Sequence, residues 1–160
     1  MDPARRDCVS RIEGAVTLLL RRAEAARKQR AREGAPLDRA AYLLLGELER
    51  CGPLGIAALA EAFQVDISTA SRQTAMLESK GLVARRPDPL DGRISLLEIT
   101  TLGRHQYEAT RAARQALFGT LLEDWTTADC RAFADYLTRL NDAIGQQTMQ
   151  RRNVSTTGGR

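Results

Sequence analysis

Apolar residues recur at three- and four-residue steps through most of this chain, and the places where that rhythm breaks divide it into elements. From Ala4 to Arg32, Ile12, Ala15, Val16, Leu19, Leu20 and Ala23 keep helical spacing, with a single glycine, Gly14, inside the run. The spacing predicts one long amphipathic helix, ended by Glu33-Gly34-Ala35-Pro36. Asp38 can cap a second helix reaching about Cys51, with Ala41, Leu44, Leu45 and Leu48 inward, and Gly52-Pro53 breaks it. Ile56, Leu59, Ala60 and Phe63 space as a short third helix. A tight joint, Gln64-Val65-Asp66-Ile67, leads into a fourth over about 67–80, capped by Asp66 and closed by Gly81.

The period then changes. Leu82-Val83-Ala84-Arg85-Arg86 and Arg93 to Ile99 are β-prone runs joined by Pro87-Asp88-Pro89-Leu90-Asp91-Gly92, which predicts a two-stranded hairpin with a protruding tip. Thr100 can cap a fifth helix over about 101–123. Thr126 or Thr127 can cap a sixth over about 128–148, with Phe133, Leu137, Leu140 and Ile144 on one stripe. The last stretch, 149–160, reads as a frayed or disordered tail. The expected fold is therefore mainly α with a small β-hairpin wing.

Composition narrows the function classes. The 160 residues fit one domain, and the net charge of +4 is carried by 24 cations, of which 22 are Arg, a side chain suited to planar contacts with phosphate or carboxylate. From Asp2 to Arg32, nine cations face four acids, crowded toward the end of the first helix where positive charge suits the dipole. No run approaches the roughly 18 apolar residues of a membrane span, and Met1-Asp2-Pro3-Ala4-Arg5-Arg6 does not open a secretory signal, so no membrane partner and a cytoplasmic location are expected. Cys8, Cys51 and Cys130 form no C-x-x-C pair, which argues against a disulfide framework or zinc site. His105 is the only histidine, placed on an exposed early turn of the fifth helix, and no Gly-rich phosphate loop or paired-carboxylate signature appears. An enzyme, a metal and a cofactor are not expected.

A short helix, a tight joint, a second helix and a hairpin, in that order, make a winged helix-turn-helix, in which the second helix enters a DNA major groove and the hairpin reaches along the backbone. Here Ala70, Thr74 and Leu77 face inward, while Ser68, Thr69, Ser71, Arg72 and Ala75 lie on the remaining surface as candidate DNA contacts. Arg72 is the long cationic donor there. Taken alone, Ser68, Thr69 and Ser71 are also what a solvated, capped helix start carries; the surrounding order of elements favours the DNA reading. Arg86 and Arg93 are candidate phosphate contacts of the hairpin, and Asp91 is assigned an internal role, orienting an Arg or satisfying turn amides.

The ordered set Gly52-Pro53-Leu54, Ile56 to Phe63, Ser68-Thr69-Ala70-Ser71-Arg72, Leu77 to Val83, Arg85 to Arg93 and Leu97 to Gly103 resembles the MarR-type (multiple antibiotic resistance) transcriptional regulators. The resemblance covers about 50 positions, and the helical flanks at 4–50 and 101–148 agree with it. It implies a winged helix-turn-helix part over 38–100 and a helical dimerisation part over 4–33 and 101–148, with Asp91 and Arg93 at the wing motif. It also implies a homodimer on double-stranded DNA, and a small aromatic or phenolic effector held between the dimer helices and the winged part. Gln73, Met76 and Ala70 depart from the family pattern and put the detailed operator sequence in question.

A dimer is expected from the residues as well. The stripes Ile12, Val16, Leu19; Ala116, Leu117, Leu121; and Phe133, Leu137, Leu140, Ile144 exceed what a winged part of about 60 residues can cover. Two recognition helices would then meet half-sites about 34–36 Å apart on a pseudo-palindromic operator. Tyr42, Tyr107 and Trp125 are candidate pocket aromatics, with core packing as the plainer role. Two alternatives stand beside the ligand-responsive repressor. One is a thiol-based redox sensor using Cys8, whose neighbours Arg5, Arg6 and Arg11 favour a thiolate, with Cys51 and Cys130 read as packing thiols. The other is a winged-helix adaptor for protein contacts without DNA binding.

Overall fold

The structure, a computed structural model, describes residues 2–32 and 37–157. It contains two compact units, residues 1–39 and 40–160. The first holds helix α1 (Pro3–Arg32), whose Val9, Ile12, Leu18, Leu19 and Leu20 are exposed. The Glu33 to Pro36 stop lies outside the described residues.

The second unit runs α2 (Arg39–Cys51), β1 (Leu54–Gly55), α3 (Ile56–Ala62), α4 (Ile67–Ser79), β2 (Val83–Pro87), β3 (Ser95–Ile99), α5 (Thr101–Leu121) and α6 (Thr127–Thr157). Its core is small and aliphatic: Leu44, Leu45 and Leu48 of α2, Leu59 and Ala60 of α3, Ala70, Thr74 and Leu77 of α4, then Leu82, Val83, Leu97 and Ile99 around the strands. The one buried hydroxyl among them, Thr74 Oγ1, donates to the Ser71 carbonyl at 3.0 Å, so no polar atom is stranded there.

Two expectations about the strands need correction. The sheet has three strands, not two: β1 joins antiparallel to β3, with Leu54 opposite Leu97, giving the order β1-β3-β2. A strand of two residues is too short to show a period. Arg93 and Ile94 also belong to the turn rather than to β3, because Asp88 N donates to the Ile94 carbonyl (2.8 Å) and Ile94 N to the Asp91 carbonyl (2.9 Å), closing the loop before pairing resumes at Pro87–Ser95.

Helix ends follow local chemistry. Thr100 caps α5 by accepting from Gly103 N at 3.0 Å and ties it to the wing by donating to the Gly81 carbonyl at 2.7 Å. Thr126 and Asp129 form a reciprocal box at the start of α6: Thr126 Oγ1 accepts from Asp129 N (3.1 Å) and donates to Asp129 Oδ2 (2.6 Å). The frayed tail expected from residue 149 is not what the structure has through Thr157; α6 continues that far, since no Gly or Pro interrupts the chain between Gly145 and Gly158. Residues 158–160 lie outside the described residues.

Candidate nucleic-acid interface

The α3–α4 joint sets the angle of the presenting helix. Gln64 takes a positive φ of 53°, Val65 N donates to the Ala60 carbonyl at 3.0 Å, and Gln64 Nε2 reaches the Gly145 carbonyl of α6 at 3.3 Å. The turn is thereby anchored to a helix 81 residues away in sequence.

Asp66 caps α4. Its carboxylate accepts from Thr69 N (2.7 Å), from Thr69 Oγ1 (2.8 Å) and from Ser68 Oγ. These hydrogen bonds to the charged form hold its carboxyl far below the usual carboxylate range. The hydroxyl protons of Ser68 and Thr69 therefore serve the helix start, and Thr69 Oγ1 also accepts from Arg72 at 3.4 Å. Ser68, Arg72 and Ala75 are exposed, whereas Thr69 and Ser71 are half-buried, so the five α4 candidates divide three to two across the helix. Met76, 50% exposed, stands four residues after Arg72 on the same side; the sequence marks it as a departure from the family pattern but not as a candidate contact, and helical spacing places it beside Arg72.

The wing is more ordered than its turn-rich sequence suggests. Asp91 accepts from Arg93 N (3.0 Å) and Asp88 accepts from Leu90 N (2.7 Å), two Asx turns in succession that fix the tip. Arg85 pairs with Glu78 at the end of α4 (2.9 Å), fastening wing to helix, and Arg86 pairs with Glu98 of β3 (3.3 Å). Arg93 is exposed on the turn and makes no ion pair among the described residues. Arg86 is thus partly committed within the wing, while Arg93 presents its guanidinium outward.

The three candidate pocket aromatics do not converge. Tyr42 and Tyr107 stack on each other with centroids 5.1 Å apart, Arg114 lies 4.6 Å above the Tyr42 ring, and Tyr107 covers Gly46 so closely that a Cβ there would stand 3.1 Å from the ring. Burial pushes the Tyr107 phenol above its ordinary value. Trp125 sits elsewhere, at the α5–α6 elbow against Phe133. Cys8 is exposed on α1 and Cys130 is half-buried. Cys51 is exposed rather than packed, because it ends α2 and its thiol turns to Glu47 Oε1 at 3.4 Å; partial desolvation and that carboxylate push the thiol up, away from reactivity. His105 is exposed. Among the described residues no three His, Cys, Asp or Glu side chains gather as metal ligands, and no helix is long and apolar enough to cross a membrane.

A helix-turn-helix followed by a β-hairpin, with a short strand from before the motif completing the sheet, defines a DNA-binding module, and comparison with known proteins agrees. The model of the MarR family matches residues 37–95. The uncharacterized HTH-type transcriptional regulator YxaD of Bacillus subtilis (strain 168) is 42% identical over 136 residues, covering 85% of this chain and 94% of YxaD. The HTH-type transcriptional repressor MdtR of the same organism is 27% identical over 120 residues, 75% of this chain and 76% of MdtR. Among solved structures, the MarR family transcription regulator SP03579 superposes with a TM-score of 0.74 at 22% identity, covering 91% of this chain and 96% of that one. BldR from Sulfolobus solfataricus gives 0.69 at 22% identity, with 91% and 99% covered. This chain belongs to the MarR family of winged helix-turn-helix transcriptional regulators, and it binds DNA.

Proposed function

We propose that the protein is a cytoplasmic, ligand-responsive repressor that acts as a homodimer on a pseudo-palindromic double-stranded operator. The observation that carries the dimer is the state of α5 and α6. Leu117, Phe118, Leu121, Phe133, Leu137, Leu140 and Ile144 are all exposed, and no side chain of α6 described here is buried. A stripe of that length left in water is costly at about 25 cal/mol per Å², and a second copy is the economical cover.

In this reading Ser68, Arg72 and Ala75, joined by Thr69 and Ser71 at the flank, enter the major groove, while Arg93 and Arg86 contact phosphates and Asp91 holds the wing turn. MdtR, a repressor by name, supports repression as the outcome. A small aromatic or phenolic effector would release the operator by preferring a spacing of the two recognition helices that DNA disfavours, a coupling of about 1–3 kcal/mol. Neither the Cys8 redox sensor nor the protein-only adaptor is favoured by any contact described above.

The test is the sedimentation of the protein alone and with duplexes tiled across its own upstream region. Two chains in solution and two chains on one fragment are expected. A monomer, or failure to bind every fragment, overturns the proposal.

A further inference from the structure

Ile67, a bulky apolar side chain, is the first residue of α4 and is 61% exposed. With Ala70, Thr74 and Leu77 buried, helical spacing turns Ile67, Ser68, Ser71, Arg72, Ala75 and Met76 away from the core as one band. We infer that Ile67 is a specificity-determining residue, which packs on the C5-methyl of a thymine and so selects a T·A pair where the first turn of α4 meets the bases. The inference rests on the proposal above that α4 enters the major groove.

The chemistry of the band decides which bases it can read. Arg72 is its only charged side chain and fits a guanine edge. The band holds no Asn or Gln to pair with adenine and no Asp or Glu to accept from cytosine. Gln73 is half-buried outside it. Ile67, Ala75 and Met76 are apolar, and the apolar group that base edges present in the major groove is the thymine methyl.

Local hydrogen bonding singles out Ile67 among the three. Ser68 and Thr69, the polar residues of the first turn, direct their hydroxyl protons to the Asp66 carboxylate, Thr69 at 2.8 Å. What that turn leaves for the groove is Ile67, and the N-terminal residues of a recognition helix are those that reach base edges. The Asp66 cap, which also accepts from Thr69 N at 2.7 Å, holds the turn in place, and branching at Cβ restricts the Ile67 side chain to few rotamers. Ala75 is shorter, and Met76 is unbranched and flexible. An isolated apolar side chain on a surface is ordinary, but this one stands at the reading end of a helix in a family that binds DNA.

The probe is the fragment of the protein's own upstream region that it protects from nuclease digestion, with each protected thymine replaced in turn by deoxyuridine. The exchange removes the C5-methyl and leaves the hydrogen-bonding groups of the base unchanged. By anisotropy, the parent should bind about fourfold more weakly when the thymine facing Ile67 is replaced, the effect of one buried methyl. Ile67→Ala should bind the unsubstituted fragment about fourfold to tenfold more weakly and lose the thymine–uracil difference at that position alone, whereas Ile67→Val should retain most of it. An unchanged thermal midpoint, and two chains on the unsubstituted fragment, show that Ile67→Ala folds and docks as the parent does, which keeps this result separate from the dimeric-repressor reading. A parent indifferent to uracil at every position, or an Ile67→Ala variant that keeps every difference, overturns the inference.

Discussion

Gly103, in the first turn of α5, lies against the backbone carbonyl of Leu82, so close that a Cβ at 103 would overlap that oxygen. The helix leaving the wing is thereby seated on the chain entering it. Gly103→Ala has no flexible side chain to displace and must move backbone; we expect a loss of about 2–3 kcal/mol, seen as a lower urea midpoint at unchanged slope.

The same junction is tested more gently at Thr100, whose hydroxyl both caps α5 and bonds the Gly81 carbonyl. Thr100→Ala should cost about 1–2 kcal/mol, and Thr100→Ser should restore most of it, by the same denaturation measurement.

Asp66 gives a pH signature. Its carboxyl is held well below the ordinary value in the folded chain by the bonds from Ser68 and Thr69, so the stability it contributes is complete above the unfolded carboxylate pKa and is lost as pH falls through the lower, folded value. Between neutral pH and about 5 the cap should contribute constantly; below about 4 the gap in thermal midpoint between the parent and Asp66→Ala should narrow.

How much of this was readable beforehand depends on the range of the interaction. Asp66, Ala70, Thr74 and Leu77 obey rules that act within one helix, and the cap and buried stripe were legible from spacing. The Asp91 turn was legible for the same reason. The pairing of Arg86 with Glu98 was not, because it depends on strand register: Arg86 stands opposite Leu96, two residues from Glu98, on the same face of the sheet. Gln64 on Gly145 and Tyr107 on Gly46 join distant segments, and no local pattern announces such pairs. The strand Leu54–Gly55 is too brief to have a period, and exists because Leu97 offers it an edge.

Register gives one further expectation for the wing. Removing Glu98 should release Arg86, so Glu98→Ala is expected to tighten binding to all duplexes alike and to steepen the fall of log K with log salt by close to one contact. Anisotropy titrations on operator and random duplex at several salt concentrations check this; an unchanged slope would take Arg86 out of the phosphate-binding set.

The account turns on a division of labour, with Arg72 of α4 reading base edges and Arg93 of the wing holding phosphate. The most direct test is the ratio of affinities for an operator fragment and for a random duplex, measured by anisotropy at one salt concentration for the parent, Arg72→Ala and Arg93→Ala. We expect Arg72→Ala to weaken operator binding by about 1–3 kcal/mol and to collapse the ratio, while Arg93→Ala weakens both duplexes and leaves the ratio standing. A ratio that survives loss of Arg72 would contradict the account.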